Sequence, residues 1–132
     1  MLQAQSGTRE HALVVLTADP GALDAREGLI APLHSAMIRA QGISSDARTA
    51  TFVMIAGASP GQENALTAAC VDGVRGIAQS LALEWAGRTR VNVVIAPTEE
   101  AAEPTCRWLT TDRAGFVTGS TFDLRADAWR SL

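Results

Sequence analysis

Ser59, His34 and an aspartate have the side-chain types of a nucleophile, a base and an orienting acid. Ser59 lies in a Gly-x-Ser-x-Gly pattern after an apolar run, the context in which hydrolases place a catalytic serine. His34 could serve as the base, with Asp19 or Asp24 behind it. Pro60 argues against this site, because a proline after the nucleophile removes an amide that would form part of the oxyanion hole. We therefore predict a tight turn here rather than a hydrolytic centre.

The basic and phenolic side chains restrict the chemistry further. The sequence contains no tyrosine, and all 11 basic residues are arginines. Mechanisms that depend on a tyrosinate, a Schiff-base lysine or a phosphate-binding lysine are therefore excluded for this chain.

Metal binding has little support in the sequence. Four acidic residues could suggest a weak cation site, but no ligand spacing recurs among them, and we interpret them as a solvated acidic loop: Glu99, Glu100, Glu103 and Asp112. Cys70 and Cys106 show no metal-ligand spacing either. We expect both to be buried thiols, which is typical of a protein in a reducing compartment.

Length and charge indicate one domain. The chain has 132 residues and a net charge of −3, and we assign residues 11–132 to a single domain after a flexible leader at residues 1–10. The mild acidity argues against a nucleic-acid partner, which needs a basic face to neutralise phosphates. No targeting segment and no apolar stretch of membrane-spanning length is present, so we expect a cytoplasmic location without a membrane partner.

Apolar runs alternate with stretches of helical periodicity along the chain. The runs are apolar throughout, as in strands that are buried on both faces of a parallel sheet. The predicted class is therefore α/β, with a truncated Rossmann-like parallel sheet of about four strands and helices mainly on one face. The predicted strands are 11–17, 49–56, 90–96 and 117–124, and the predicted helices are 27–41, 64–86 and a short one around 105–109.

Two separated segments resemble one known family. Residues 71–86 read Val-Asp-Gly-Val-Arg-Gly-Ile-Ala-Gln-Ser-Leu-Ala-Leu-Glu-Trp-Ala and precede Arg90-Val-Asn92. Residues 108–120 read Trp-Leu-Thr-Thr-Asp-Arg-Ala-Gly-Phe-Val-Thr-Gly-Ser. The first segment resembles the long helix and sixth strand of short-chain dehydrogenase/reductase proteins, and the second resembles their C-terminal segment. The resemblance covers about residues 12–123 and only the C-terminal half of the family fold.

The resemblance implies a catalytic tyrosine, a lysine four residues later that lowers its pKa, and a serine that orients the substrate carbonyl. Aligning the long helix places Thr67 at the tyrosine and Val71 at the lysine, and neither side chain can perform that role. The serine position falls near Ala56 or Gly57, with Ser59 close by. We interpret these as degenerate positions, and we expect no catalytic, cofactor-binding or metal site in the isolated chain.

The family's cofactor-binding features are also missing from the resemblance. Family members bind a dinucleotide through a Gly-rich turn after their first strand, in the half that this chain does not resemble. The turn at 57–61 has a different glycine spacing, and the substrate-covering insertion is reduced to 99–104. NAD(P) is therefore expected only where a partner supplies the missing half.

The leading hypothesis is a non-catalytic, degenerate short-chain dehydrogenase-like protein, a pseudoenzyme that acts as an oligomeric or interaction subunit. One alternative is a half-subunit of an NAD(P)-dependent oxidoreductase that a complementary dehydrogenase-like chain completes. The other is a small-molecule binding module that uses a cleft beside Ala18, Gly57 and Pro97.

A homodimer or homotetramer is expected for the leading hypothesis. Both long connecting helices should cover one face of the sheet and leave little to cover the other, and the first strand should be an open edge. In the family, the two long helices pack against a second subunit. Three small residues would permit that close approach here: Ala69, Gly73 and Gly76.

Overall fold

The computed structural model of the protein describes residues 10–57, 60 and 62–126. Within them, strands and helices alternate. The strands are β1 (His11–Thr17), β2 (Thr49–Ile55), β3 (Arg90–Ala96) and β4 (Thr121–Asp123). The helices are α1 (Ala31–Gln41), which follows a π-helical turn at Arg26–Ile30, then α2 (Ala65–Glu84) and α3 (Glu99–Leu109), which a 3₁₀ turn at Asp112–Ala114 follows. Ser59 and residues 1–9 of the predicted leader lie outside the described residues.

The strands form one parallel sheet in the order β1-β2-β3-β4. The register places Val14 beside Phe52 and Phe52 beside Val93. Each strand therefore lies next to the one that precedes it in the chain, and β1 is an edge of the described sheet. The predicted α/β class and parallel four-stranded sheet are confirmed.

One face of the sheet packs against α1 and α2, as predicted. Phe52 and Met54 in β2 are fully buried there, together with Ala36 of α1 and Val74 of α2. Alanines at the helix–sheet contacts let the helices lie close to the large strand residues.

The opposite face has more cover than the sequence predicted. Leu13, Val53 and Val94 pack there against Cys106 and Leu109 of α3. The helix was underestimated because the sequence around it is mixed and includes a proline, which disfavours helix interiors. The structure corrects the expectation of a nearly uncovered face.

Two features explain why α3 forms. Thr98 has an extended backbone, and its hydroxyl accepts a hydrogen bond from the amide of Ala101 at 3.1 Å, as an N-cap residue does. Glu99 and Glu100 occupy the first turn, where negative charge stabilises a helix. A threonine followed by two glutamates is a sequence signal that could have located the start of this helix, which was predicted only around 105–109.

The last strand is shorter than predicted. Only Thr121–Asp123 pair with β3, because residues before them make other bonds. Asn92 donates from its side chain to the carbonyl of Val117 at 3.0 Å and accepts from the amide of Ser120 at 3.0 Å. Gly119 adopts a φ of 72°, a conformation that favours glycine and turns the chain into β4.

No helix in the described part of the chain has the length and hydropathy needed to cross a membrane.

Candidate functional site

A cleft of about 420 Å³ opens at the carboxyl-terminal ends of β1 and β2. Ala18 and Gly57 follow these two strands and line it, and Thr67 reaches it from the first turn of α2. Open parallel sheets bind ligands outside the carboxyl ends of their strands, so this cleft is the candidate site. Pro97, which was predicted beside it, is exposed and is not part of its lining.

The two positions that the family resemblance singles out lie on the first two turns of α2. The helix begins there because Asn64 has an extended backbone and its side chain accepts from the amide of Thr67 at 2.9 Å. Thr67 and Val71 are both buried, Thr67 at the cleft and Val71 in the core. A threonine hydroxyl does not ionise near neutral pH, and valine carries no charge that could lower a neighbour's pKa. Neither side chain can transfer a proton to a substrate.

A buried ion network beside the cleft was missed in the sequence. The Arg125 guanidinium lies 2.7 Å from Asp123 and 2.9 Å from Glu63. The side chain of Arg125 is only 5% exposed and that of Glu63 11%. Glu63 precedes α2 and Arg125 follows β4, so the network ties these two segments together. Only the fold brings residues 62 positions apart into contact, and the sequence held no motif that would have found them.

The network sets the protonation state of its members. Burial alone would raise the pKa of Asp123, but hydrogen bonds and charge attraction from Arg125 outweigh burial, and the pKa of Asp123 lies below its ordinary value. The hydrogen bond from Arg125 to Asp123 likewise raises the pKa of the guanidinium. Asp123 and Arg125 are therefore both charged at neutral pH.

A smaller cavity of about 310 Å³ adjoins the network between α2 and the ends of β3 and β4. Val71 and Ile95 line it, and so does Thr121. The hydroxyl of Thr121 is buried and has no hydrogen-bond partner within the described residues. Glu63 lines both this cavity and the cleft, so the network forms the wall between them.

The residues considered for hydrolysis do not converge. His34 is exposed on α1, and no hydrogen bond or ion pair joins it to Asp19 or Asp24 in the part of the chain that the structure describes. Each aspartate instead accepts a hydrogen bond from a backbone amide two or three residues later. Ser59 lies outside the described residues, and the described geometry offers no support for a catalytic triad.

The two thiols are buried, as predicted, and they lie on opposite faces of the sheet. Burial raises the pKa of Cys70. Burial, with a smaller contribution from the charge of Glu103, raises the pKa of Cys106 to about 11. Both thiols are therefore protonated at neutral pH and unreactive as nucleophiles. Among residues 10–57, 60 and 62–126, no cluster of histidine, cysteine or acidic side chains could hold a metal ion.

The outer surfaces of α1 and α2 enclose a groove of about 640 Å³, called the helix groove below. Its lining is mostly apolar and comes from Met37 of α1 and from Ile77, Leu81 and Trp85 of α2. Met37 is 53% exposed, which is high for a large apolar side chain outside an interface.

The three small residues predicted for an interface differ in their surroundings. A Cβ atom on Gly73 would lie 2.7 Å from a methyl group of Leu33, so this glycine permits the contact between α2 and α1 of the same chain. A Cβ atom on Gly76 would meet nothing within 4 Å, and Ala69 is exposed. Gly76 and Ala69 are therefore accessible to a second molecule, and their role in an interface stays a prediction.

Residues 64–124 match the family model described as SDR-like, short chain dehydrogenase-like protein. The match spans α2, β3, α3 and β4 and so includes both segments that carry the resemblance. Over these residues the chain is similar to short-chain dehydrogenases. No curated protein is similar enough in sequence to give a match.

Solved structures agree with this assignment at the level of the fold. The citronellol catabolism dehydrogenase of Pseudomonas aeruginosa has a TM-score of 0.67 at 21% identity, over 95% of the short-chain dehydrogenase-like chain and 64% of its own. A 4-hydroxyisoleucine dehydrogenase complexed with NADH and succinate has a TM-score of 0.67 at 16% identity, over 99% and 73% of the two chains. An oxidoreductase of the family from Burkholderia thailandensis has a TM-score of 0.65 at 15% identity, over 98% and 68%. The chain spans between 60% and 73% of the length of these structures.

Proposed function

We propose that the short-chain dehydrogenase-like chain is a non-catalytic subunit that assembles with copies of itself through the helix groove. The observation that carries this proposal is the exposed apolar surface of α1 and α2, which contrasts with the lack of proton-transfer groups in the cleft. An assembly role uses the exposed apolar surface and requires no proton-transfer group.

The cleft lacks the means to reduce a carbonyl. Reduction requires a proton donor beside the substrate oxygen, with a pKa near the working pH. Of the described residues that line the cleft, Glu63 alone is titratable, and Arg125 binds its carboxylate at 2.9 Å. Thr67 and Val71 supply neither a proton nor a positive charge. The chain therefore has an oxidoreductase-like fold but lacks the proton donor that carbonyl reduction requires.

A second copy of the chain is the occupant that best fits the helix groove. In a two-fold symmetric dimer, the same patch on both molecules meets itself, so the apolar groove of one copy would receive the exposed Met37 and Ile38 of the other. Gly76 lies on this surface without any neighbour that would block close helix approach. Ser80 and Glu84 would lie at the groove's polar margin. Obligate interfaces of this type bury on the order of 2,000 Å² or more.

Sedimentation velocity at low micromolar concentration tests the proposal. We expect the wild-type chain to sediment as a dimer or tetramer, and the Gly76→Arg and Met37→Glu variants to sediment as smaller species. Phe116→Glu is the matched control, because Phe116 is 83% exposed but is not part of the groove lining. A wild-type chain that sediments as a compact monomer and unfolds cooperatively would contradict the proposal.

Completion by a complementary chain is the second candidate, because β1 is an open edge of the described sheet and the cleft lies beside it. An edge strand offers unpaired backbone groups to a further strand. A solved neighbour of the same fold contains NADH. Thermal unfolding with and without NAD(P) tests whether the chain binds the cofactor without a partner. A concentration-dependent rise in Tm for the chain alone would show that it binds the cofactor itself.

A further inference from the structure

A further pocket, of about 410 Å³, lies at the amino-terminal ends of the strands, opposite the cleft. Arg48 reaches it from the residue before β2, and Arg88 and Arg90 reach it from the start of β3. Asp112 and Thr118 contribute further polar side chains to its lining. We call this the arginine pocket, defined by these five residues. Its lining shares no residue with the helix groove, so an inference about it does not rest on the proposed assembly role.

The arginines that start β3 are held in place by the protein. Arg90 donates from Nη1 to the carbonyl of Ala114 at 2.7 Å. The Arg88 guanidinium lies over the Trp85 ring, 4.8 Å from its centroid, and donates from Nε to the hydroxyl of Thr89 at 3.2 Å. These contacts orient both guanidinium groups before any ligand arrives, which reduces the entropy lost on binding.

The positive charge of the pocket is only partly neutralised. Arg48 lies 3.0 Å from Glu10 and 3.7 Å from Asp112. Arg88 and Arg90 form no ion pair with a carboxylate within the described residues. Burial, and then the nearby charge of Arg48, lower the pKa of Arg90, while Asp112 offsets part of that effect. An added anion would relieve this repulsion.

We propose that the arginine pocket binds a phosphate group. A guanidinium group presents a planar fork of N–H donors that matches the oxygens of a phosphate. Thr118 adds a further donor, because its hydroxyl oxygen accepts from the amide of Val91 at 3.0 Å and its proton can point into the pocket. Asp112 is 99% exposed, so its carboxylate can turn towards solvent when an anion enters.

Titration of the full chain with inorganic phosphate, followed by NMR of the arginine Nε–H signals, tests the proposal. We expect saturable shifts of the Arg88 and Arg90 signals at constant ionic strength. Arg88→Gln should weaken binding roughly tenfold or more, since it removes a charge-assisted hydrogen bond. Arg26→Gln is the matched control: it removes the same charge from an exposed turn before α1, at the other end of the sheet, and should leave the affinity unchanged.

Further measurements make the result decisive. Arg48→Gln should also weaken binding, which keeps the test valid if Arg88→Gln fails to fold. A parallel titration with glycerol 3-phosphate separates the two sources of a phosphate group, since tighter binding than phosphate assigns the pocket to phosphate monoesters. Shifts that chloride reproduces, or that Arg88→Gln and Arg48→Gln leave unchanged, would overturn the proposal.

Discussion

The two ends of the parallel sheet treat charge in opposite ways. At the carboxyl end, Arg125 is buried and contacts two carboxylates, those of Asp123 and Glu63. At the amino end, Arg88 and Arg90 are held in a pocket where none of the described carboxylates pairs with them. At the carboxyl end, internal ion pairs therefore neutralise the buried arginine. At the amino end, the arginine pocket retains positive charge that an anion could neutralise.

Solvent exposure explains why both arrangements are stable. A buried charge that loses its partner is strongly destabilising, and at the carboxyl end the buried Arg125 contacts two carboxylates. Charges that water can reach need no partner, and surface ion pairs contribute little to stability. Substitutions should therefore affect folding at one end of the sheet and ligand binding at the other.

Replacement of the central arginine should give the largest effect. We expect Arg125→Met to lower the free energy of unfolding by about 3–5 kcal/mol, because it removes the buried cation that the partly buried Asp123 and Glu63 both contact. Arg107→Met is the control. Arg107 is exposed and pairs with Glu103 at 3.8 Å within α3, and its loss should cost about 0.5 kcal/mol or less. Urea denaturation of both variants measures the difference, and equal losses would break the contrast between buried and exposed pairs.

Acid should weaken the carboxyl-end network. Because the pKa of Asp123 in the folded chain lies below its unfolded value of about 3.9, its contribution to stability is complete above that value and is lost as pH falls through the folded pKa. We expect the Asp123→Asn variant to be less stable than wild type at neutral pH, and the gap to narrow below about pH 4. Urea denaturation across this pH range checks it, and a constant gap would show that the carboxylate charge is not what stabilises the network.

Removal of positive charge at the amino end should change stability little. We expect Arg88→Gln to alter the free energy of unfolding by about 1 kcal/mol or less, the size of an exposed cation–π contact. Thermal and urea unfolding of this variant measure the change. A loss as large as that of Arg125→Met would mean that the arginine pocket is part of the folding core rather than a binding surface.

Restoring the family's catalytic residue types should not produce turnover. We expect Thr67→Tyr with Val71→Lys to show no NAD(P)-dependent oxidation of alcohols or reduction of carbonyls, as we expect for wild type. Tyrosine and lysine can provide the acid, but the cofactor must still be held beside them. Absorbance of the reduced nicotinamide measures turnover, and clear hydride transfer in the double variant would show that this chain holds a cofactor in the cleft.

Local patterns in the sequence predicted most of the fold. The apolar runs at His11–Thr17 and Arg90–Ala96 form strands with the predicted bounds, because strands buried on both faces leave a continuous apolar signal. The weaker predictions lie where local and tertiary signals conflict. Pro104 made the sequence of α3 look too short for a long helix, and the side-chain hydrogen bonds of Asn92 shorten β4. Hydrophobic periodicity predicts neither boundary.

The sequence by itself determined the α/β class, the likeness to short-chain dehydrogenases and the residue types Thr67 and Val71 at two family positions, because these depend on composition and on spacing along one helix. Only the tertiary structure decided how the charges are arranged. Glu63 meets Arg125, and Arg48 approaches Arg90, through contacts between residues about 40 to 60 positions apart. Such contacts arise because parallel strands gather their carboxyl ends at one edge of the sheet and their amino ends at the other, which no local pattern records.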